Sequence, residues 1–281
     1  MKGDAKVTIN SQMEELLVEV KEGIAILTLN RPDKLNALTP SLFIRLSQIC
    51  SELSEDESIK VAVITGAGRG FCVGADVGSS YFDDVLSDKP PREILKDWPY
   101  EKLVSPVGYE VLGIWNCIKP TIASVNGIAV GGGLGIAAAC DIRIASENAR
   151  FGFRFSALGI VPDAGSTYTI PRLIGFDKAF ELYCTDSIID AQEALRIGLV
   201  TKVVPHEELT EATMKLAEKI ADGPSLAQIL TKRGMREGVH NSFLGQLEYE
   251  SYALSRVRST QDYRNAVLAF LEKRKAEFTG R

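Results

Sequence analysis

The sequence predicts a mixed α/β domain followed by a helical C-terminal region. Three observations indicate this fold class. Strand-like and helical segments alternate through most of the chain, short apolar strands run into glycine clusters, and the last segments repeat at helical spacing. We therefore expect a core of repeated strand-strand-helix units over residues 1–200 and a helical extension over residues 201–281.

A hairpin is the first element that the pattern predicts. Runs rich in β-forming residues flank a turn at residues 21–23, and such runs are typical of two antiparallel strands. The following segment has apolar residues at helical spacing, with Thr39 as the expected N-cap and Pro40 at the first helical position. "IKVAVITGAG" is almost wholly apolar, which predicts a strand buried on both faces.

The pattern weakens over residues 78–110, where acids, prolines and aromatic residues mix without a clean period. A stretch of this kind inside a compact domain is typical of a functional loop. Order returns in "KPTIASVNGIAVGGGLGIAAACDIRIAS", which predicts a strand, an Ala-rich helix from about 132 to 140 and another strand. "ARFGFRF" is a further strand candidate.

The chain after Asp190 is predicted to be mostly helical. Asp190 is the expected N-cap of a short helix that ends at Gly198, and "LVTKVVP" predicts a brief strand. Four amphipathic stretches follow, near residues 206–222, 224–237, 241–258 and 261–278.

Composition excludes several classes of function. The 281 residues are 45% apolar and 25% charged, with a formal charge of −5, so no global attraction to nucleic acid or to an anionic membrane is expected. The five cysteines are widely spaced and lack a C-x-x-C pair, which argues against a disulfide framework and a zinc site. The chain shows no signal-peptide pattern and no run long enough to span a membrane. We expect a cytoplasmic protein without a bound metal.

Two glycine clusters give the first functional signal: "GAGRGFCVGAD" at 66–76 and "NGIAVGGGLG" at 126–135. Neither matches the phosphate-binding loop or the dinucleotide fingerprint. The glycines at 131–133 open a predicted helix, where free amides and the positive end of the helix dipole favour an oxyanion. Tight strand-helix packing is the alternative explanation.

Six segments in register resemble the crotonase (enoyl-CoA hydratase/isomerase) superfamily. They are "NRPDKLNAL", "GAGRGFCVGAD", the segment 119–146, "LGIVPDAGSTYTIPRLIG", "DAQEALRIGLVTKVV" and "FLEKRKAEF". The resemblance implies a crotonase-type spiral of ββα units, a homotrimer or dimer of trimers, and an acyl-CoA thioester as substrate. Coenzyme A is part of that substrate, so no separate cofactor is implied.

The resemblance places the thioester oxygen between two backbone amides, those of Ala75 and Gly132. A C–H bond beside a thioester is a very weak acid, and its proton becomes removable when two preorganised donors meet the developing enolate oxygen. The motif residues Lys34 and Asp76 are implied to contact the substrate near these amides.

The acidic residue distinguishes the reactions of this superfamily. Hydratases resembling this chain carry glutamates where this sequence has Gly135 and Phe155, so both are missing here. Asp163, in "GIVPDAGST", stands where several isomerases of the superfamily carry their single acid. A double-bond shift needs only one carboxylate to move the proton, whereas hydration needs two groups. An N-cap is the alternative role for Asp163, because a short acid before a helix commonly caps it.

Further residues are implied to line the substrate site. Apolar side chains near Asp163 would raise its basicity; the candidates are Phe153, Phe155, Leu158 and Ile160. In the last helix, Phe270 and Lys273 match family positions that stack near the adenine and meet the 3′-phosphate of CoA, often from a neighbouring subunit. A lysine suits phosphate as a point charge, and an ordinary amphipathic helix is the alternative. Aromatic candidates for the acyl pocket are Trp98, Tyr100 and Tyr109.

The sequence therefore predicts an acyl-CoA isomerase, similar to ring-epoxide isomerases of phenylacetyl-CoA breakdown and to Δ3,Δ2-enoyl-CoA isomerases. An enoyl-CoA hydratase is the alternative, with its second acid taken from the 78–110 segment or replaced by a water that Asp163 holds.

Two other hypotheses fit less well. Aryl-CoA dehalogenases of the superfamily have a tryptophan eight residues before the aspartate and a histidine near the site. This chain has Phe155 there, and its only histidines, His206 and His240, are expected at the surface. A non-catalytic binding protein is the other; some relatives bind RNA, which the acidic balance argues against.

Overall fold

Ten β-strands are present in the part of the chain that the computed structural model describes, residues 14–76 and 108–280. They are β1 (Leu16–Lys21), β2 (Ile24–Leu29), β3 (Val61–Gly66), β4 (Gly70–Cys72), β5 (Thr121–Val125), β6 (Ile128–Val130), β7 (Ile142–Ser146), β8 (Arg150–Gly152), β9 (Ile188–Asp190) and β10 (Lys202–Val204). One sheet has the order β1-β2-β3-β5-β7-β10, and the other has the order β4-β6-β8-β9.

Ten α-helices accompany these strands within the same residues. They are α1 (Pro40–Glu55), α2 (Tyr109–Asn116), α3 (Gly132–Ala139), α4 (Ser166–Ile174), α5 (Phe176–Cys184), α6 (Ala191–Arg196), α7 (Leu209–Ala221), α8 (Ser225–Glu237), α9 (Phe243–Arg258) and α10 (Gln261–Leu271). None of these helices combines the length and hydropathy that a membrane span requires.

The chain winds as a spiral of ββα units, which confirms the predicted fold class. The pairs β3-β4, β5-β6 and β7-β8 each send one strand to the six-stranded sheet and one to the four-stranded sheet. A helix follows each of the last two pairs, α3 just after β6 and α4 after the loop that follows β8. Parallel pairing within each sheet brings the ends of successive turns to the same edge.

Local signals in the sequence match the observed element boundaries. The predicted hairpin forms, with β1 antiparallel to β2. The Thr39 hydroxyl accepts a hydrogen bond from the Leu42 amide at 3.2 Å, and the Asp190 carboxylate accepts one from the Glu193 amide at 2.8 Å. Both predicted N-caps are therefore confirmed.

The central strand β3 is buried on both faces, as its composition predicts. Ala62 and Ile64 belong to the larger hydrophobic cluster, and Val61 and Val63 belong to a second cluster that α7 closes. Alternate side chains of one strand thus enter two cores. Helix α7 lies in the predicted C-terminal region, so this region contributes directly to the packing of the sheet.

The last helix is shorter than its amphipathic pattern suggests. Helix α10 ends at Leu271 instead of continuing to about 278, and Lys273 has a left-handed φ of 55°. The chain then returns to the start of the helix, where the Asp262 carboxylate accepts hydrogen bonds from the amides of Thr279 and Gly280 at 2.7 and 2.8 Å. Helices α2 and α5 were not predicted from the sequence.

Two buried asparagines hold the glycine-rich turn that leads into β4. The Asn36 side-chain amide donates to the carbonyls of Ala67 and Gly70 at 2.9 and 2.8 Å. The Asn126 amide donates to the carbonyls of Gly68 and Gly70 at 2.9 and 3.0 Å. Because a glycine-rich turn has little conformational preference of its own, these bonds fix its course.

We expect Asn36→Ala to lower the free energy of unfolding by about 2–3 kcal/mol, because it leaves buried carbonyls without donors. Urea denaturation measures this loss. The control is Asn241→Ala at an exposed site, which should change stability by less than about 0.5 kcal/mol. Equal effects in the two variants would contradict the role given to Asn36.

Candidate active site

The two glycine clusters meet where Gly74 approaches Gly132. A side-chain carbon added at Gly74 would stand 3.1 Å from the Val130 oxygen and 3.2 Å from the Gly132 nitrogen. Gly74 has a φ of +85°, a value that L side chains rarely adopt. Glycine is required here by both space and conformation, and it brings the Ala75 and Gly132 segments side by side.

The Ala75 amide is left unpaired by the strand pairing around it. Leu38 pairs with this segment through its amide, which donates to the Gly74 oxygen at 2.8 Å, and through its oxygen, which accepts from the Asp76 amide at 2.9 Å. This pairing uses the Gly74 oxygen and the Asp76 amide, which lie on either side of Ala75 in the chain. The Ala75 N–H has no acceptor within residues 14–76 and 108–280.

The Gly132 amide is the first of helix α3, so it has no partner within the helix. It has none elsewhere in the described chain either. All eight residues of α3 are buried, and in a dry site the positive end of the helix dipole acts strongly on a negative charge. Both amides are therefore without an acceptor in the described residues, as two donors to an oxyanion would be.

An ion pair fixes the segment that carries Ala75. The Asp76 carboxylate accepts a hydrogen bond from the Arg31 guanidinium at 2.8 Å. Arg31 also pairs with Glu15 at 3.1 Å and donates to the Ala37 oxygen at 2.6 Å. Asp76, predicted as a substrate contact, thus holds the loop in place. Its neighbour in the motif, Lys34, is exposed.

Asp163 lies in the loop between β8 and α4 with one oxygen buried. This Oδ1 atom has no hydrogen-bond partner in the described residues, and burial raises the pKa of the carboxyl to about 6. The next helix starts at Ser166, whose amide and hydroxyl bond to the Asp163 main-chain oxygen at 2.9 and 2.6 Å. Gly165 is the N-cap residue. The N-cap hypothesis for the Asp163 side chain is therefore wrong.

The loop after Asp163 blocks the place of a missing hydratase glutamate. A side-chain carbon at Gly135 would lie 2.5 Å from the Ala164 Cβ and 2.7 Å from the Ala164 oxygen. Ala164 itself has a left-handed φ of 49°, which is unfavourable for a residue with a side chain. Contact with α3 helps to hold this conformation. Gly135 was predicted to contact substrate, but the side of Gly135 on which a side chain would stand faces Ala164.

Phe155 stands beside the oxyanion amides. Its Cζ atom is 4.0 Å from the position of a side-chain carbon at Gly131, the residue before Gly132. Phe153 and Phe155 are buried, and both contact the Tyr183 ring edge-on, at centroid distances of 5.2 and 5.8 Å. An apolar aromatic group thus occupies the position of the second hydratase glutamate.

The four side chains of the expected apolar wall differ in exposure. Phe153 and Phe155 are buried, whereas Leu158 is 67% exposed and Ile160 is 48% exposed. The cause is a tight 3₁₀ turn at Ser156–Leu158, after which Gly159 adopts a left-handed φ of 67°. This turn carries the chain to the surface of the described structure.

Two residues of the site were missed by the sequence reasoning, Glu110 and Tyr183. Glu110 is fully buried on α2, and neither of its carboxyl oxygens has a partner in the described residues. The Tyr183 hydroxyl on α5 is also buried, and it interacts with Ser166, the first residue of α4. A signal for Glu110 existed, since it shares one helical face with Ile114 and Cys117. An acid on an apolar face is the unusual feature.

Several predicted contacts lie elsewhere. Phe270 is 83% exposed on α10, and Lys273 is exposed just beyond it.

His206 and His240 are exposed, as expected. The described ranges contain no group of three or more residues suited to a metal ion. The acids at 83–97 and the side chains of Trp98, Tyr100 and Tyr109 lie outside the described part of the chain.

Comparison with known proteins relates this geometry to a family. The enoyl-CoA hydratase/isomerase family model matches residues 19–281. The chain belongs to the enoyl-CoA hydratase/isomerase family. This family is the crotonase superfamily that the sequence motifs resemble.

The relatives include both hydratases and an isomerase. Crotonyl-CoA hydratase of Syntrophomonas wolfei is 37% identical over 267 residues, which cover 94% of this chain and 98% of the relative. The 1,2-epoxyphenylacetyl-CoA isomerase of Escherichia coli is 33% identical over 269 residues, covering 96% of this chain and 100% of the isomerase. Both types of reaction are therefore represented at similar distance.

Solved structures support the fold over nearly the whole chain. An enoyl-CoA hydratase from Bacillus anthracis superposes with a TM-score of 0.85 at 33% identity, covering 95% of this chain and 100% of the hydratase. DspI from Pseudomonas aeruginosa gives 0.85 at 31% identity, covering 98% and 100%.

We expect Gly135→Ala to destabilise the protein by about 1–3 kcal/mol, because the added carbon overlaps Ala164. Thermal or urea unfolding tests this. Gly132→Ala is the matched control on the same helix, since its added carbon would meet only ordinary contacts at 3.5 and 3.6 Å. If the two variants unfold alike, the Ala164 contact does not close position 135.

Proposed function

We propose that this protein is an acyl-CoA isomerase that shifts a double bond, or rearranges a ring acyl-CoA, through a thioester enolate. The observation that carries the proposal is Asp163, whose carboxyl has a buried, unpartnered oxygen and a pKa raised to about 6. Position 135 is closed to an acid and position 155 holds a phenylalanine. Asp163 is therefore the acid to which we assign the proton transfer.

The Ala75 and Gly132 amides stabilise the charge that develops on the thioester oxygen. In the ground state this oxygen is a weak acceptor, and it becomes a strong one when the neighbouring carbon loses its proton. One preorganised donor is worth about 10²- to 10³-fold in rate. The buried α3 adds its dipole at the same point without needing to reorganise.

Asp163 moves the proton between two carbons. Its carboxylate takes a proton from the carbon beside the thioester carbonyl, and the C–H electron pair moves into the carbonyl group to give a dienolate. The carboxyl then returns the proton to the carbon two bonds further along, while the electrons of the oxygen re-form the carbonyl. The double bond ends in conjugation with the thioester, and no atom is gained or lost.

Phe155 favours this route over water addition. Its ring stands near Gly131, at the position where a hydratase would hold an acid, and an apolar ring neither orients nor deprotonates water. Phe153 and Tyr183 pack against the same region. Protonation of the dienolate by the Asp163 carboxyl is then the favoured outcome.

An enoyl-CoA hydratase is the second candidate, and two observations favour it. Glu110 is a second buried carboxyl close enough to Asp163 for their charges to interact, and several relatives are named as hydratases. In that case Glu110 would supply the second group that hydration needs.

Two thioesters distinguish the candidates by their absorbance. An isomerase converts a 3-enoyl-CoA to the conjugated thioester and leaves crotonyl-CoA unchanged. A hydratase instead removes the conjugated absorbance of crotonyl-CoA. Hydration of crotonyl-CoA at a rate similar to or above isomerisation would overturn the isomerase proposal.

The assembly and the CoA contacts belong to the same proposal. We propose a cytoplasmic homotrimer or dimer of trimers in which Phe270 and Lys273 meet the nucleotide part of CoA bound to a neighbouring subunit. Their exposure leaves both side chains accessible to such a ligand. Light scattering gives the assembly, and Lys273→Ala should raise KM without changing kcat if the lysine binds phosphate alone.

We expect Asp163→Asn to lower kcat for double-bond migration by about 10²- to 10⁴-fold, the usual contribution of a positioned base. Binding of the CoA thioester, measured by calorimetry, should survive because the amides remain. The control is Asp177→Asn, at an exposed position on α5, which should keep wild-type activity. Near-normal turnover by Asp163→Asn would contradict the assignment.

The pH dependence follows from the raised pKa of Asp163. The base acts only when ionised, so kcat/KM should fall as the pH decreases through about 6, the pKa that burial gives this carboxyl. Above that pH the rate should level off. Initial rates between pH 4.5 and 8 test this expectation. If kcat/KM falls only near the ordinary carboxyl pKa of about 4, Asp163 is not the titrating base.

A further inference from the structure

The carboxyls of Glu110 and Asp163 have buried oxygens without partners. The described residues contain five buried side-chain atoms of this kind in all, and three of them belong to these two acids. Buried polar groups are normally paired, so this concentration at one place is unusual. Because Asp163 is the proposed catalytic acid, we look for a functional explanation of the Glu110 oxygens.

Contacts between neighbouring elements bring Glu110 to this place. Val111, the next residue on α2, has its Cγ1 3.3 Å from the position of a side-chain carbon at Gly165, two residues after Asp163. On the other side, the Cys72 thiol of β4 and Glu110 interact electrostatically. Glu110 thus lies between the end of β4 and the loop that carries Asp163.

Burial acts to a different extent on the two carboxyls. Burial raises the pKa of Glu110 well above its usual range, and the nearby Asp163 charge raises it further. Asp163 is only half-buried, and its pKa is raised to about 6. Two carboxyls in one dry site do not both ionise readily. Ionisation of Glu110 is therefore disfavoured while Asp163 carries its charge.

Among the described residues, the other groups that face Glu110 and Asp163 add no unpaired charge beside them. Burial raises the pKa values of the Cys72 thiol and the Tyr183 hydroxyl to about 12, so both are neutral. Helix α3 has no titratable residue. On α1, which also packs against α2, Ser47 contacts Gly113, and Arg45 is paired with Glu52.

We infer that Glu110 is a positioning residue for Asp163: its neutral carboxyl stands beside the catalytic carboxylate, and the two side chains together carry one negative charge during turnover. The inference rests on the proposed role of Asp163. The neutral Glu110 offers a polar neighbour to the ionised base, whereas an ionised Glu110 would repel both the base and the anionic dienolate.

Two substitutions distinguish a polar role of Glu110 from a role in packing alone. The quantity compared is the acid limb of kcat/KM, the fall of this rate constant as the pH decreases. Glu110→Gln keeps a neutral polar group of the same shape, so the acid limb of kcat/KM should stay near pH 6. Glu110→Leu removes the polar neighbour, so the limb should move to higher pH. We expect about a threefold loss of kcat/KM at pH 6, which a shift of about 0.7 pH unit would produce. A merely structural residue would not move the limb.

Folding stability tests the retained proton independently of activity. The unfolded Glu110 is ionised above pH 5, so a folded Glu110 that keeps its proton makes folding take up one proton. From pH 5.5 up to the pKa of the folded Glu110, the ratio of folded to unfolded protein in the wild type should therefore fall about tenfold per pH unit relative to Glu110→Gln. Protein concentration is held constant because assembly affects stability. Glu193→Gln, at a partly exposed ion pair on α6, is the control and should follow the wild type.

The outcomes distinguish the two proposals. If Asp163→Asn is inactive but the acid limb is the same in wild type, Glu110→Gln and Glu110→Leu, the positioning role is overturned and the proposed function stands. Parallel stability curves for wild type and Glu110→Gln overturn the single-charge pair, whether or not Glu110→Leu folds. If Asp163→Asn remains active, the proposed function fails first.

Discussion

The close approach of two backbone segments at Gly74 and Gly132 is the constraint on which the rest of the site depends. It requires a residue without a side chain at Gly74, and it leaves two amides free beside each other. Much of the surrounding structure serves to hold this approach. Asn36 fixes the preceding turn, Arg31 binds Asp76 just after Ala75, and the buried α3 aims its N-terminus at the same point. Strand pairing and helix packing thus form the site at which we propose that an enolate is stabilised.

The second constraint is steric and concerns the acids. A glutamate at position 135 and the observed loop at Ala164 are mutually exclusive, because both require the same space. The loop that fills this space also carries Asp163 and buries one of its oxygens. The exchange of one acid for another is therefore a single change in packing. Under the proposed function, this change replaces two acids that flank a water with one carboxylate that moves a proton. Glu110 adds a second buried carboxyl, and burial raises its pKa.

Sequence patterns predicted the fold class and the caps at Thr39 and Asp190, because these depend on short-range spacing and backbone requirements. The meeting of the two glycine clusters was implied by the family resemblance. Sequence patterns did not show that Leu158 turns outward, since a single left-handed Gly159 redirects the chain there. They also missed Glu110, which follows an irregular stretch and becomes significant only when α2 packs beside the Asp163 loop. Long-range packing of this kind brings together residues about fifty positions apart, and local periodicity carries no information about it.

A crystal structure with a bound, unreactive acyl-CoA would show whether two backbone amides and one carboxylate act on the same acyl group. We expect a thioester oxygen about 2.7–3.1 Å from the amide nitrogens of both Ala75 and Gly132. We also expect the Asp163 carboxylate about 3–3.5 Å from a carbon that exchanges its proton. A thioester oxygen bound elsewhere, or an acid other than Asp163 nearest to that carbon, would contradict this expectation.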